Sequence, residues 1–118
     1  MNKDKNIGFI GLGNVGSKIA NNILKSKYNL NIYDIDRKKG KFLITKGAIW
    51  RKNISEIALH SSIIITCLPS PKIVSKVILG KSGLINFLSK KHLWIEMSTT
   101  DQKDMINLSK MISSTGAG

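Results

Sequence analysis

The sequence is poor in cysteine, acid and arginine, and each shortage narrows what the chain can be. Cys67 is the only cysteine in 118 residues. One thiol closes no internal disulfide, which excludes a disulfide-stapled secreted module and suits a reducing compartment. Acidic residues number 7 against 19 Lys and Arg, a formal charge of +12. Such an excess raises the question of nucleic acid, yet only Arg37 and Arg51 are arginines. Groove readers and phosphate clamps rely on the forked guanidinium. The lysines are scattered from Lys3 to Lys110, and isoleucine and asparagine are also abundant. The pattern reads as a bias towards AT-rich codons, so no nucleic-acid partner is expected. No apolar run approaches the ~20 residues of a membrane span. The charged start, Met1 to Lys5, leads into a glycine-broken run unlike a signal peptide. No membrane partner is expected, and the expected location is cytoplasmic. His60 and His92 lack metal-ligand spacing, so no metal site is expected. No Ser-His-Asp arrangement can be argued.

What is present is an alternation of apolar runs and helical patterns. Strands are expected at Ile7–Ile10, Leu30–Tyr33, Ala48–Trp50, Ser62–Leu68 and Leu93–Met97. The Ile63-Ile64-Ile65 segment is apolar on both faces, as a central parallel strand requires. Helices are expected over Val15–Lys27, with Val15, Ile19, Ile23 and Leu24 as its apolar stripe, and over Lys38–Lys46, ending at Gly47. Others follow: a short one opened by Asn53-Ile54-Ser55-Glu56, one opened by Ser70-Pro71, a short one within Gly80–Ser89, and Asp101–Ser113. Strand-helix alternation implies an α/β fold: a doubly wound, Rossmann-type parallel sheet forming a single domain over residues 1–118. The small residues Ser113 to Gly118 read as flexible, with no closing element. Trp50 and Trp94 read as packing residues, and Cys67 as a small buried hydrophobe, with an activated thiol as its alternative.

Gly11-Leu12-Gly13-Asn14-Val15-Gly16 follows a strand and opens a helix, the context a dinucleotide fingerprint needs. Gly11 permits the tight turn. Gly13 lets a pyrophosphate reach the backbone, and Gly16 lets the helix pack close. The helix N-terminus offers free N–H groups to the phosphates. Asp34 ends the second strand, near the ~20-residue spacing at which an acid accepts the adenosine ribose hydroxyls. Its charge favours NAD over NADP. The alternative is a strand-end Asp capping its own turn, and Arg37, Lys38 and Lys39 lie where they could meet a 2′-phosphate. Ligands bind beyond the carboxyl ends of the strands, so Cys67-Leu68-Pro69-Ser70 and Met97-Ser98-Thr99-Thr100 should line the cleft. Ser70 and Thr100 are read as helix caps.

With these pieces placed, the chain resembles the β-hydroxyacid dehydrogenases of the 3-hydroxyisobutyrate dehydrogenase type, within the 6-phosphogluconate dehydrogenase superfamily. The resemblance rests on Gly8 to Gly16, Tyr33-Asp34, Thr66-Cys67-Leu68-Pro69 and Glu96-Met97-Ser98-Thr99-Thr100. It implies hydride transfer between NAD(P) and a small 3-hydroxy acid or semialdehyde. It also implies cofactor contacts from Gly11, Leu12, Gly13, Asn14, Val15, Gly16, Asp34, Leu68, Pro69 and Thr99, with Ser98 at the substrate's edge. Departures are Val15 for the usual Met, Glu96 for the usual Asp, and Ile73 where some members place a cofactor-contacting Asn. In the family the Ser-Gly-Gly segment, the catalytic lysine and a helical, dimer-forming domain come after the position of Gly118. The chain therefore reads as a fragment with no catalytic residue of its own, inactive alone, whose parent enzyme forms the homo-oligomer. The alternative is a non-catalytic NAD-binding regulatory module.

Overall fold

The computed structural model describes residues 6–97 and 102–118. Among these residues five strands, β1 (Asn6–Ile10), β2 (Asn29–Tyr33), β3 (Ile49–Trp50), β4 (Ile63–Thr66) and β5 (Leu93–Glu96), alternate with five α-helices. These are α1 (Asn14–Leu24), α2 (Lys41–Thr45), α3 (Ile54–His60), α4 (Pro71–Leu79) and α5 (Gln102–Ser113). The sheet is wholly parallel in the order β3-β2-β1-β4-β5. The winding reverses between β1 and β4, which pair with Ile10 opposite Thr66. A crevice opens at such a reversal because the connections leave the two strands in opposite directions.

Side-chain alternation divides the core into two layers. Ile10, Ile64 and Trp94 face α3, α4 and α5, packing with Ile57, Val74, Ile78, Leu84, Leu108 and Ile112. Phe9, Leu30, Ile32 and Ile65 face α1 and α2, packing with Ala20 and Leu43. The second layer does not extend to β5, whose Leu93 and Ile95 remain exposed. Buried polar groups are paired. His92 Nδ1 accepts from the Ser89 amide at 3.0 Å, so its Nε2 donates to the Ala58 carbonyl at 2.8 Å, tying the start of β5 to α3.

Several expectations need correction. Val15 is 63 % exposed and is not part of the apolar stripe of α1; Gly16 and Ala20 are the buried residues of that face. The other three residues of the expected stripe, Ile19, Ile23 and Leu24, are partly buried and pack on this layer, so only Val15, in the first turn of the helix, falls off the face. The α1 helix ends at Leu24 rather than Lys27. The expected Lys38–Lys46 helix is a 3₁₀ turn, Arg37–Gly40, followed by α2, in which Leu43 is buried, Ile44 partly buried and Phe42 exposed. Gly80–Ser89 holds only the 3₁₀ turn Leu84–Asn86. The last residues are not loose: Ala117 is buried, the Gly118 amide donates to the His92 carbonyl, and the Trp94 amide donates to the Gly118 carbonyl, both at 3.0 Å. Two of the N-caps read from sequence form, with Asn53 accepting from the Glu56 amide at 2.9 Å and Ser70 from the Ile73 amide at 3.3 Å.

Ile64 has no exposed surface and lies between β1 and β5 on the three-helix side. Ile64→Ala should cost about 2–5 kcal/mol of unfolding free energy in urea denaturation. Leu59→Ala, at a residue 76 % exposed, should change it by no more than about 0.5 kcal/mol.

Candidate functional site: the glycine turn at the sheet crossover

The turn between β1 and α1 lies at the reversal point. Gly11 has φ +102°, in the left-handed region that a side chain disfavours. A Cβ there would also collide with the Cys67 carbonyl at the end of β4, and one at Gly16 would collide with the Gly11 carbonyl. These two glycines let β1, the turn and α1 nest together. Gly13 differs: its φ is −68°, and a Cβ there would meet nothing within 4 Å. It is the N-cap of α1, exposed, with no side chain of its own to satisfy the helix's first amides. A hollow of about 360 Å³ opens here, lined by Leu12, Gly13, Asn14, Ser17 and Lys39. Unpaired helix-start amides, an open approach and one lysine make an anion cradle. A larger groove, about 790 Å³, lies between α4 and α5 and includes none of these residues.

The end of β2 is laced to this turn. The Gly11 amide donates to the Tyr33 carbonyl at 3.0 Å, and the Leu12 amide donates to Asp34 Oδ2 at 2.7 Å. Asp34 Oδ1 accepts from the Asp36 amide at 2.8 Å, so the turn-capping alternative for this residue is realised alongside its place at the mouth. Asp34 is 9 % exposed. Ile35, next to it, is the most exposed of the large apolar side chains among the described residues. Arg37 stacks over the Trp50 ring at 5.4 Å, whereas Lys39 lines the hollow.

The other wall is the end of β4. Leu68 is half-buried and abuts Gly11, with Pro69 exposed beside it. Beneath them Thr66, fully buried, donates to Glu96 Oε2 at 2.6 Å and accepts from Trp94 Nε1 at 3.0 Å. This bridge joins the carboxyl ends of β4 and β5. The longer Glu at this position spans from one strand to the next, which the resemblance alone did not suggest. Burial, and secondarily the Glu96 charge, push the Cys67 thiol above its ordinary value. Cys67 is half-buried rather than fully buried as expected, and it packs on the edge of the second core layer, which together with the raised thiol favours the packing reading over the activated thiol. Ser98, Thr99 and Thr100 lie outside the described residues. Sequence reasoning missed Ser17. Its position one helical turn after Gly13, where its hydroxyl donates to the Gly13 carbonyl at 2.8 Å, was the available signal.

A parallel sheet reversing beside a bare-backbone turn, with an acid at the end of β2, defines a Rossmann-type NAD(P)-binding domain. Residues 6–118 match the family described as the NAD binding domain of 6-phosphogluconate dehydrogenase, and the chain belongs to that family. It is 35 % identical over 115 residues to a probable mitochondrial 3-hydroxyisobutyrate dehydrogenase of Arabidopsis thaliana, covering 95 % of this chain and 33 % of that one. It is 32 % identical over 113 residues to the cytokine-like nuclear factor N-PAC of Pongo abelii, covering 96 % of this chain and 20 % of the other. Among solved structures, Psf3 in complex with NADP+ and 2-OPP aligns with TM-score 0.91 at 25 % identity over 94 % of this chain and 39 % of that one. The chain thus spans about a fifth to a third of the length of these curated relatives. No helix among the described residues is long and apolar enough to cross a membrane.

Because the Cys67 thiol is held above its ordinary value, less of it is thiolate at neutral pH, and it should alkylate more slowly than a free thiol. Glu96→Gln removes the smaller of the two causes and should speed the reaction only in part. Iodoacetamide kinetics at pH 7.5 measure both.

Proposed function

We propose that the chain binds NAD across the glycine turn, as the cofactor-binding domain of an oxidoreductase. The larger enzyme moves a hydride between NAD(P) and a small 3-hydroxy acid or semialdehyde. The observation that carries this reading is Gly13: an exposed N-cap whose missing side chain leaves open space, beside two glycines that the fold itself requires. Gly11, Leu12, Gly13, Asn14, Val15 and Gly16 form the pyrophosphate cradle. The exposure of Val15, which corrects its place in the core, agrees with a position on the cradle's rim. Asp34 faces the adenosine ribose with the lone pairs its two amides leave over, and its charge disfavours a 2′-phosphate. Leu68 and Pro69 form the opposite wall; Thr99 completes the cofactor contacts and Ser98 meets the substrate. The nicotinamide supplies the hydride-transfer chemistry. This chain's own part is to bind and orient the dinucleotide.

In this reading residues 1–118 are one domain that is inactive by itself. Substrate, catalytic residues and homo-oligomer contacts belong to the parent enzyme, which works in the cytoplasm without nucleic-acid or membrane partners. Two observations favour second readings. Lys39 on the hollow, with a structural relative holding NADP+, favours NADP as an additional cofactor. The match to a protein named as a nuclear factor favours a non-catalytic NAD-binding module.

Thermal unfolding tests the cradle. NAD at about 100-fold above its Kd should stabilise the chain by about 2.7 kcal/mol, a rise in Tm on the order of 10 °C. Duplex DNA should give none. Gly13→Asp should fold normally, since its backbone is unstrained, and lose the NAD shift. Gly11→Ala should fail to fold stably. If Gly13→Asp retains the full shift, the phosphate assignment is wrong.

A further inference from the structure

Asp34 is placed as more than a reader of ribose hydroxyls. Its carboxylate is almost entirely buried, and each oxygen already accepts a backbone amide: Leu12 at 2.7 Å across 22 residues of sequence, and Asp36 at 2.8 Å. The Leu12 bond continues the rung from Gly11 to the Tyr33 carbonyl. Two consecutive amides of the glycine turn are thereby bound to the end of β2, one to main chain and one to this side chain. Leu12 itself is buried beneath the turn and immediately precedes Gly13, the open end of the hollow.

We propose that Asp34 is a positioning residue for the pyrophosphate cradle, acting on cofactor affinity through the Leu12 amide. This rests on the dinucleotide reading above. A carboxylate is required because both partners are donors. Asparagine offers one carbonyl oxygen, and in either orientation its NH₂ opposes one of the two amides. A buried amide left without an acceptor would be relieved by movement of the turn, and the amides at the start of α1 would lose their aim. The same carboxylate joins the cradle to the 3₁₀ turn that carries Lys39, so the two sides of the hollow share one anchor.

The test is calorimetric titration of the chain and of Asp34→Asn with two probes, NAD and its analogue built on 2′,3′-dideoxyadenosine. Positioning predicts that Asp34→Asn weakens the analogue as well as NAD, the analogue on the order of tenfold for one disturbed buried hydrogen bond and NAD by at least that factor, since it also loses the ribose contact. If the substitution weakens NAD and leaves the analogue's affinity unchanged, Asp34 acts only on the hydroxyls and the proposal is overturned. Absence of binding by the unsubstituted chain would instead sink the dinucleotide reading. A measurement on the unsubstituted chain guards against a variant that fails to fold. Without cofactor, the Leu12 amide should resonate downfield and exchange slowly, and rapid exchange there would equally overturn the proposal.

Discussion

The contact on which the site depends is the approach of the Gly11 backbone to the Cys67 carbonyl, where a Cβ has no room. Gly16 repeats the constraint one step on, against the Gly11 carbonyl. Between them they bring β1, the turn and α1 under the end of β4, and so hold the helix N-terminus at the crossover. A side chain at either place would push the helix away from the strands and carry its free amides out of the crevice. The exposed Gly13 has no such duty in the fold, and its lack of a side chain leaves the helix N-terminus open to approach from outside.

Around that contact the carboxyl end of the sheet is held by polar groups as well as by the packing of Ile10, Leu12 and Leu68. Asp34 ties the turn to β2, and the Thr66 hydroxyl, bonded to both Trp94 and Glu96, ties β4 to β5. Buried donors and acceptors are costly when unmade, so these bonds favour one arrangement over near alternatives. Apolar contacts would tolerate sliding by fractions of an ångström. The two walls of the crossover are therefore set in part by directional interactions, with Ile64, Phe9 and Ile32 among the fully buried side chains below.

Much of this was legible from local pattern. The β-branched run at Ile63–Ile65, the caps at Asn53 and Ser70, and the strand-helix alternation each depend on neighbours a few residues apart, which a sequence displays directly. What failed depended on distant neighbours. Val15 is apolar and at helical spacing with Ile19, Ile23 and Leu24, yet it is Gly16, its neighbour, that turns to the sheet, and Val15 is exposed. Leu84–Asn86 forms only a 3₁₀ turn despite its apolar flanks. Gly118, read as loose, is hydrogen-bonded to the β5 backbone.

The sequence by itself determined the class: glycines at three spaced positions, an acid at the end of the second strand, and a Leu-Pro at the fourth strand's end carry the dinucleotide signature in their spacing. Only the tertiary structure decided which glycine is needed for packing and which leaves space, and that Asp34 is bound to Leu12, 22 residues away. Spacing specifies chemistry along the chain. Which atoms compete for one small volume is settled only when strands distant in sequence are brought side by side.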